Sequence, residues 1–243
     1  MITRNPSLTD QVKTNIKERI VNDKFDGGRI PPETELASDL GVSRTTVRDA
    51  LTRLENEGAI YRRQGSGTFV NEPGLQIKSR LEDIWSYEQV LEDHGYAPSV
   101  RVLSSHARPA DDTTTEALSL EKNAQVLIIE KLFLEDEDPV ILTINRIPSR
   151  IFTNTEYTDD EATPVYEFLE LHCNRTLSYY LSEIIPVSLD KELAKKLGVA
   201  AGTLAVSFDE IGFDQNNEPV VRATSYFRDD LLRFRLMRRG VGT

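Results

Sequence analysis

The chain has 243 residues, a formal net charge of −11 and one cysteine, Cys173. This composition excludes an intramolecular disulfide framework and argues against a protein that coats nucleic acid without sequence preference. No apolar run approaches the roughly 18 residues of a membrane span, and the first residues lack the apolar segment of a signal peptide, so we expect a cytoplasmic protein with no membrane partner.

The charge is distributed unevenly along the chain. Residues 1–71 contain 11 Lys+Arg and 10 Asp+Glu, whereas residues 72–243 contain 18 and 30. The length also exceeds that of one typical domain of roughly 100 to 200 residues. We therefore predict a first domain over residues 1–71, a linker with a helix over 72–98, and a second domain over 99–243.

Three helices are predicted in the first domain. The first follows Ser7, and its apolar residues recur every four positions up to Ile20. The second covers about residues 33–40, where Gly41 can close it in a left-handed conformation. The third follows directly, and two short helices joined by a glycine turn are typical of a helix-turn-helix.

The third helix carries the first candidate binding residues. Its apolar side chains fall on one stripe, which leaves Arg44 and Arg48 on another face near the helix N-terminus. A recognition helix meets base edges near its N-terminus, and arginine matches guanine O6 and N7. We predict DNA contacts from Ser43, Arg44, Thr45, Thr46 and Arg48, with Ser43 also capping the helix.

A hairpin is predicted after this helix, with strands over 59–63 and 68–70. Gly65 and Gly67 at its tip would let the backbone approach a phosphate, and Arg62 and Arg63 would attract phosphate whatever the sequence. Taken alone, the glycines are more simply explained by an ordinary tight turn. Their position after the helix pair favours a DNA-binding wing.

The runs VSRTTVR at 42–48 and GSGTFV at 65–70 carry a family resemblance. Residues 7–71 resemble the winged-helix domain of the GntR superfamily, which implies a homodimer on palindromic, double-stranded operator DNA. The chain has Pro32 and Thr34 where family members often have serine and arginine. A contact usually made from the first helix of the motif is therefore expected to be missing.

Beyond a linker helix predicted over 81–92, the pattern changes to strands. We predict strands over 100–104, 125–134, 140–147, 177–187, 204–213 and 219–227, with helices over 113–120, 163–171 and 189–197. The connections at 135–138 and 214–217 are typical of hairpins, which favours a largely antiparallel sheet.

The runs LIIEKLFL at 127–134, PVILTINRIP at 139–148 and YFRD at 226–229 occur in an order that carries a second resemblance. Residues 97–240 resemble the UTRA effector-binding domain of the HutC branch, which has a chorismate-lyase-like fold. The expected class is thus α+β, with an N-terminal winged helix-turn-helix and a C-terminal antiparallel sheet. The resemblance implies a small-molecule effector that controls operator affinity.

The UTRA resemblance also suggests effector contacts. It implies a ligand-facing basic residue at Lys131 and an aromatic one at Tyr166, whereas Phe133 and Thr143 stand where arginine and glutamate are common. Because these anion and sugar contacts are absent, a carboxylic acid is favoured over a phosphosugar. A solvated or salt-bridged Lys131 is the alternative interpretation.

One further set follows from strand periodicity. Arg222, Thr224 and Tyr226 alternate on one face of the last strand and could hold an oxyanion, together with the four residues just named. An exposed sheet face explains the same pattern. Both interpretations remain open at this point.

Catalysis has little support in the sequence. His94, His106 and His172 are scattered, without the spacing of a metal site or a Ser-His-Asp arrangement, so we predict no catalytic residue, no metal and no cofactor. The leading prediction is a DNA-binding transcriptional repressor controlled by an effector. A chorismate-lyase-like enzyme and an effector-independent DNA-binding protein are the alternatives.

Overall fold

The computed structural model describes residues 7–22, 25–77, 80–153 and 163–228, and residues 232, 234, 236 and 238. Contacts within the chain divide it into a first unit up to Arg80 and a second unit from Leu81 to Phe234. Within the described residues, no helix combines the length and the apolar character that crossing a membrane requires.

The first unit consists of three helices and a small sheet. The helices are α1 (Leu8–Val21), α2 (Glu33–Leu40) and α3 (Arg44–Asn56). The strands β1 (Arg29–Ile30), β2 (Ile60–Arg63) and β3 (Gly67–Val70) pair antiparallel in the order β1-β3-β2. A single turn of helix, α4 (Glu72–Leu75), follows the sheet.

Local chemistry sets where these helices begin and end. Ser7 and Ser43 accept hydrogen bonds from backbone amides in the first turns of α1 and α3, and Gly41 ends α2 with a φ of +65°. The apolar faces of all three helices meet in one core. Its buried residues include Val12, Ile16, Ile20, Leu36, Val47, Ala50, Leu51 and Leu54, which confirms the helical patterns predicted for this part of the chain.

The second unit is built on a six-stranded antiparallel sheet in the order β4-β5-β6-β9-β8-β7. The strands are β4 (Pro98–Pro109), β5 (Gln125–Glu135), β6 (Asp138–Pro148), β7 (Leu177–Ser188), β8 (Leu204–Asp214) and β9 (Pro219–Arg228). The helices are α5 (Tyr87–Asp93), α6 (Asp112–Ala117), α7 (Val165–Cys173) and α8 (Lys191–Lys196). The predicted hairpins at 135–138 and 214–217 are confirmed by the pairing of β5 with β6 and of β8 with β9.

Helices cover both faces of this sheet. On one face, α5 packs over Phe133 and Phe227, and α7 packs over Leu127 and Val221. On the other face, Ala194 of α8 belongs to a separate apolar cluster with Leu132 and Leu142. Among the residues that the structure describes, α5 and α7 leave a gap over the face that they cover.

The predicted linker helix is shorter than expected. It begins at Tyr87 and not at residue 81, because the Ser86 hydroxyl accepts the amide of Gln89 and fixes the first turn there. Helix α7 likewise begins at Val165, with Pro164 directly before it. Residues 81–86 are thus irregular chain beside the sheet.

Candidate DNA interface and ligand cavity

The N-terminal part of α3 presents two arginines. The side chains of Arg44 and Arg48 are 60% and 52% exposed, and they lie one turn apart on the same face. Thr45 is also exposed. Ser43 and Thr46 are engaged in the cap, since the Ser43 Oγ accepts the Thr46 amide and lies 2.7 Å from its hydroxyl.

A carboxylate on α2 contacts both arginines. Glu33 Oε2 lies 3.2 Å from the Nε of Arg44 and 3.3 Å from the Nε of Arg48. Sequence reasoning missed Glu33 because its distance along the chain from α3 gives no sign of the contact. The turn at Gly41 brings the two helices together.

The hairpin of β2 and β3 extends this surface. The Nη2 of Arg62 donates to the hydroxyl of Thr52, which lies one turn beyond Arg48 on α3, and its guanidinium pairs with Glu55. Arg63 is exposed and pairs in register with Gly67. The predicted Arg62 of the hairpin therefore lies beside the face of α3 that carries Arg44 and Arg48.

The tip of the hairpin depends on its glycines. Gly65 and Gly67 have φ values of +74° and +121°, which side chains disfavour. The guanidinium of Arg29 donates to the Ser66 carbonyl at 3.1 Å and lies against Gly67. Arg29 is a basic residue at this surface that the sequence analysis did not identify.

A cavity of about 200 Å³ lies in the second unit, in the gap between α5 and α7. Its floor is formed by two cross-strand rows of the sheet. One row is Lys131, Thr143, Ser225, Phe208 and Ile184, and the other includes Asn145, Ala223, Glu210 and Ser182. Residues 81–88 and 163–166 form its sides.

Four of the predicted effector residues line this cavity: Lys131, Phe133, Thr143 and Tyr166. Lys131 and Thr143 are direct neighbours across β5 and β6. The Lys131 side chain is buried, and its Nζ donates to the Thr163 carbonyl at 2.6 Å. The structure thus brings together the set that the UTRA resemblance implied.

The other three predicted residues lie on the opposite face of the sheet. Successive residues of β9 alternate between faces, so Ala223 and Ser225 line the cavity while Arg222, Thr224 and Tyr226 do not. Arg222 forms two hydrogen bonds to Asp209, and Thr224 accepts one from Arg146 at 3.1 Å. The expected single site containing both sets is therefore not formed, and these three do not face a ligand in the cavity.

Two buried polar atoms that line the cavity have no hydrogen-bond partner within the described part of the chain. They are the Oγ1 of Thr143 and the Nε1 of Trp85. Buried polar atoms are rarely left unpaired, because the loss of water is then uncompensated. Both atoms can be satisfied by a molecule inside the cavity.

A carboxylate lies at the β8 side of the cavity. Glu210 accepts a hydrogen bond from the Ser182 hydroxyl, and burial raises the pKa of its carboxyl above the ordinary value. Burial, with the Glu210 charge as a second cause, also raises the pKa of Tyr87 and Tyr180. The Tyr87 hydroxyl lies 2.8 Å from that of Ser225. None of these five residues was singled out from the sequence.

No three His, Cys, Asp or Glu side chains are grouped as metal ligands in the ranges that the structure describes. Cys173 is buried, and burial raises the pKa of its thiol to about 12. Its thiolate is therefore scarce at neutral pH.

Comparison with known sequences gives two profile matches and several relatives. Residues 93–233 match the UTRA domain, and residues 8–70 match bacterial regulatory proteins of the gntR family. The HTH-type transcriptional repressor NagR of Bacillus subtilis (strain 168) is 25% identical over 227 residues, which are 93% of this chain and 91% of that protein. The mannosyl-D-glycerate transport/metabolism system repressor MngR of Escherichia coli (strain K12) is 26% identical, covering 79% of this chain and 80% of that protein.

Among solved structures, the possible transcriptional regulator YydK from Bacillus subtilis superposes with a TM-score of 0.75. The alignment covers 96% of this chain and 99% of that one, at 16% identity. At this identity the similarity supports the fold alone.

Proposed function

The chain belongs to the GntR family of bacterial transcriptional regulators, in the HutC branch that carries a UTRA domain, and we propose that it is a repressor released from its operator by an effector. Membership makes it a DNA-binding regulator under small-molecule control and not an enzyme. Repression is supported by the names of the relatives NagR and MngR, both of which are called repressors.

The observation that carries the DNA-reading part is the exposed arginine pair on α3, Arg44 and Arg48, which adjoins the hairpin of β2 and β3. In the proposed complex, the N-terminus of α3 enters the major groove and the two arginines contact bases or phosphates. The remaining contacts come from Ser43, Thr45, Thr46, Arg62, Arg63, Gly65 and Gly67. The hairpin glycines lie against the DNA backbone.

Control of operator binding by an effector requires two DNA-binding domains and a link from each to an effector-binding domain. In this proposal, residues 1–71 bind DNA, 72–98 connect and 99–243 bind the effector, and two copies form a homodimer that acts in the cytoplasm. Each copy binds one half-site of a palindrome, so a change in the spacing of the readers lowers affinity. A coupling of about 1 to 3 kcal/mol would change operator affinity about 5- to 150-fold.

The cavity of the second unit is the proposed effector site. A ligand there would satisfy the buried hydroxyl of Thr143 and the indole nitrogen of Trp85. A carboxylic acid is favoured because Lys131 supplies a buried positive charge on the cavity floor.

In vitro selection from a random duplex library would identify the operator, and anisotropy titrations would then measure affinity for it. We expect a palindromic sequence, and at least tenfold weaker binding for Arg44→Ala and for Arg48→Ala. Arg53→Ala is the matched control, because Arg53 lies in the last turn of α3 and pairs with Asp10.

The outcomes separate the parts of this proposal. Full operator affinity in both arginine variants would contradict the assignment of α3 as the reader. Selection of a non-palindromic site, or a monomer by analytical ultracentrifugation, would contradict the homodimer. The comparison of the arginine variants is valid only if Arg53→Ala keeps the operator affinity of the unchanged protein.

A further inference from the structure

The cavity of the second unit has two chemically different ends, and we propose that its ligand is a zwitterion whose ammonium group binds at Glu210 and whose carboxylate binds at Lys131. This inference rests on the cavity being the effector site. It extends that proposal by adding a positively charged group to the carboxylate that Lys131 favours.

Glu210 is an acceptor with one side-chain donor, Ser182, among the described residues. It lies on β8 with its side chain on the cavity face, and the Ser182 hydroxyl donates to one of its oxygens. In the described part of the chain, no lysine or arginine forms an ion pair with it. A partly buried carboxylate without a cation is costly, so a ligand that brings a positive charge gains an interaction there.

The walls around Glu210 suit an ammonium group. Tyr87 and Tyr180 are near enough for the Glu210 charge to raise the pKa of each phenol. Trp85 and Phe208 also line the cavity, with ring centroids 6.2 Å apart. Aromatic faces attract cations, so these rings add to the attraction of the carboxylate.

The charges of the residues that line the cavity also favour a positively charged group on the ligand. The described lining residues include four acidic side chains and one basic side chain: Glu82, Asp83, Glu88, Glu210 and Lys131. A ligand with negative groups alone, such as a dicarboxylate or a phosphorylated sugar, would meet repulsion at the Glu210 end. A neutral ligand would leave the Glu210 carboxylate without a counter-charge.

The opposite end suits a carboxylate. Lys131 provides its buried Nζ, and residues 163–166 place the N-terminus of α7 beside it. Thr143 and Asn145 lie between the two ends and offer neutral hydrogen-bonding groups. The order of groups along the floor is therefore cation, neutral polar, anion.

The strand spacing sets the scale of the ligand. Lys131 on β5 and Glu210 on β8 are separated by β6 and β9, so at about 4.8 Å per strand their backbones lie roughly 14 Å apart across the sheet. A chain of about six carbons with a hydrogen bond of about 2.8 Å at each end is of this size. The compound 6-aminohexanoate is therefore a suitable probe.

Thermal shift and isothermal titration of the full chain would test the assignment with four probes of equal length. They are 6-aminohexanoate, hexanoate, hexanedioate and hexylamine. We expect 6-aminohexanoate to give the largest rise in melting temperature and the tightest binding. Glu210→Gln should lower the affinity for 6-aminohexanoate on the order of tenfold or more, to the affinity for hexanoate. Lys131→Gln should lower the affinity for 6-aminohexanoate to the affinity for hexylamine.

Glu183→Gln is the matched control, because Glu183 lies on β7 next to Ser182, is exposed and does not line the cavity. Its binding of 6-aminohexanoate should equal that of the unchanged protein. Equal or tighter binding of hexanoate or hexanedioate would overturn the proposal, as would no binding of 6-aminohexanoate or its four- and eight-carbon homologues. Operator binding measured on the same sample separates these failures from failure of the regulator function.

Discussion

Glu33 Oε2 lies 3.3 Å from Arg48 Nε, which ties the N-terminus of α2 to the exposed face of α3. The same oxygen lies 3.2 Å from the Nε of Arg44. Since Glu33 engages Nε in both cases, the outer guanidinium nitrogens remain available for DNA. Glu33 is thus placed to hold both arginines in one orientation while lowering the positive charge of the surface.

Glu33→Gln should reduce discrimination between operator and unrelated DNA. Removing the carboxylate frees the arginines, which weakens oriented contacts with bases, and it removes a negative charge that repels every phosphate. Because exposed ion pairs contribute about 0.2 to 1 kcal/mol each, we expect the specificity ratio to fall about three- to tenfold. Anisotropy titrations with the selected operator and a scrambled duplex would measure it.

Glu35→Gln provides the comparison for that experiment. Glu35 is an exposed acid in the first turn of the same helix, and its substitution makes the same change in net charge. If both variants gave the same specificity ratio, the effect would come from net charge, and the orienting role of Glu33 would be wrong.

Gly67→Ala should weaken DNA binding by distorting the hairpin tip. Its φ of +121° is rarely adopted by residues with a side chain, and the added Cβ would lie 3.5 Å from Arg29 Nε. Strain of this kind costs about 1 to 3 kcal/mol. The helical core does not include the tip, so circular dichroism should be unchanged while operator affinity falls. Ser66→Ala, at the neighbouring tip position, should keep both.

Thr143→Val should stabilise the protein in the absence of ligand. The Thr143 hydroxyl is buried without a partner among the described residues, so replacing it with a methyl group removes a desolvation cost of about 1 kcal/mol or more. Urea unfolding would report the increase in the free energy of unfolding. Titration with 6-aminohexanoate should show weaker binding to the same variant.

Thr224→Val is the opposite case on the other face of the sheet. Its hydroxyl accepts a hydrogen bond from Arg146 Nη1 at 3.1 Å, and the same nitrogen also donates to the Ile144 carbonyl at 3.3 Å. The substitution removes one of these two acceptors from a partly buried guanidinium and should lower the free energy of unfolding by about 1 kcal/mol. Equal destabilisation by the two variants would mean that the Thr143 hydroxyl already has a partner in solution.

Local sequence was sufficient to predict most of the elements. Caps such as Ser43, the left-handed turn at Gly41 and the spacing of apolar residues on α3 act within a few residues of one another. The same holds for the hairpins of the second unit, where short polar turns separate apolar strands. Such features depend on nearby residues alone, so they can be identified without knowledge of the fold.

The residues of the cavity could be predicted only in part, because the sequence does not show which face of each strand lines the cavity. The alternation along β9 was correct, but both of its faces are buried, with Phe227 in one apolar cluster and Tyr226 in another. Nothing in the strand itself then tells which face meets the ligand. Glu210 was missed for a related reason, since its contact with Ser182 depends on the register of β7 with β8.

The raised pKa of Glu210 predicts how stability depends on pH. Burial is the main cause, Asp209 adds to it and the Ser182 hydroxyl opposes it, while Tyr87 of α5 and Tyr180 of β7 face the same carboxyl. The folded protein therefore keeps this proton to a higher pH than the unfolded chain does. Ionisation of Glu210 lowers the free energy of unfolding above the folded-state pKa, and this loss disappears as the pH falls below the ordinary carboxyl value.

Glu210→Gln removes that ionisation, so the variant without ligand should melt at a higher temperature than the unchanged protein near neutral pH. The difference should shrink steadily as the pH is lowered from about 8 to about 4, because the native carboxyl then carries its proton as well. Melting curves of both proteins across this range would measure it, with Glu183→Gln as the exposed comparison. A variant that melts below the unchanged protein at neutral pH would show that the Glu210 carboxylate stabilises the empty cavity, contrary to the direction of its pKa shift.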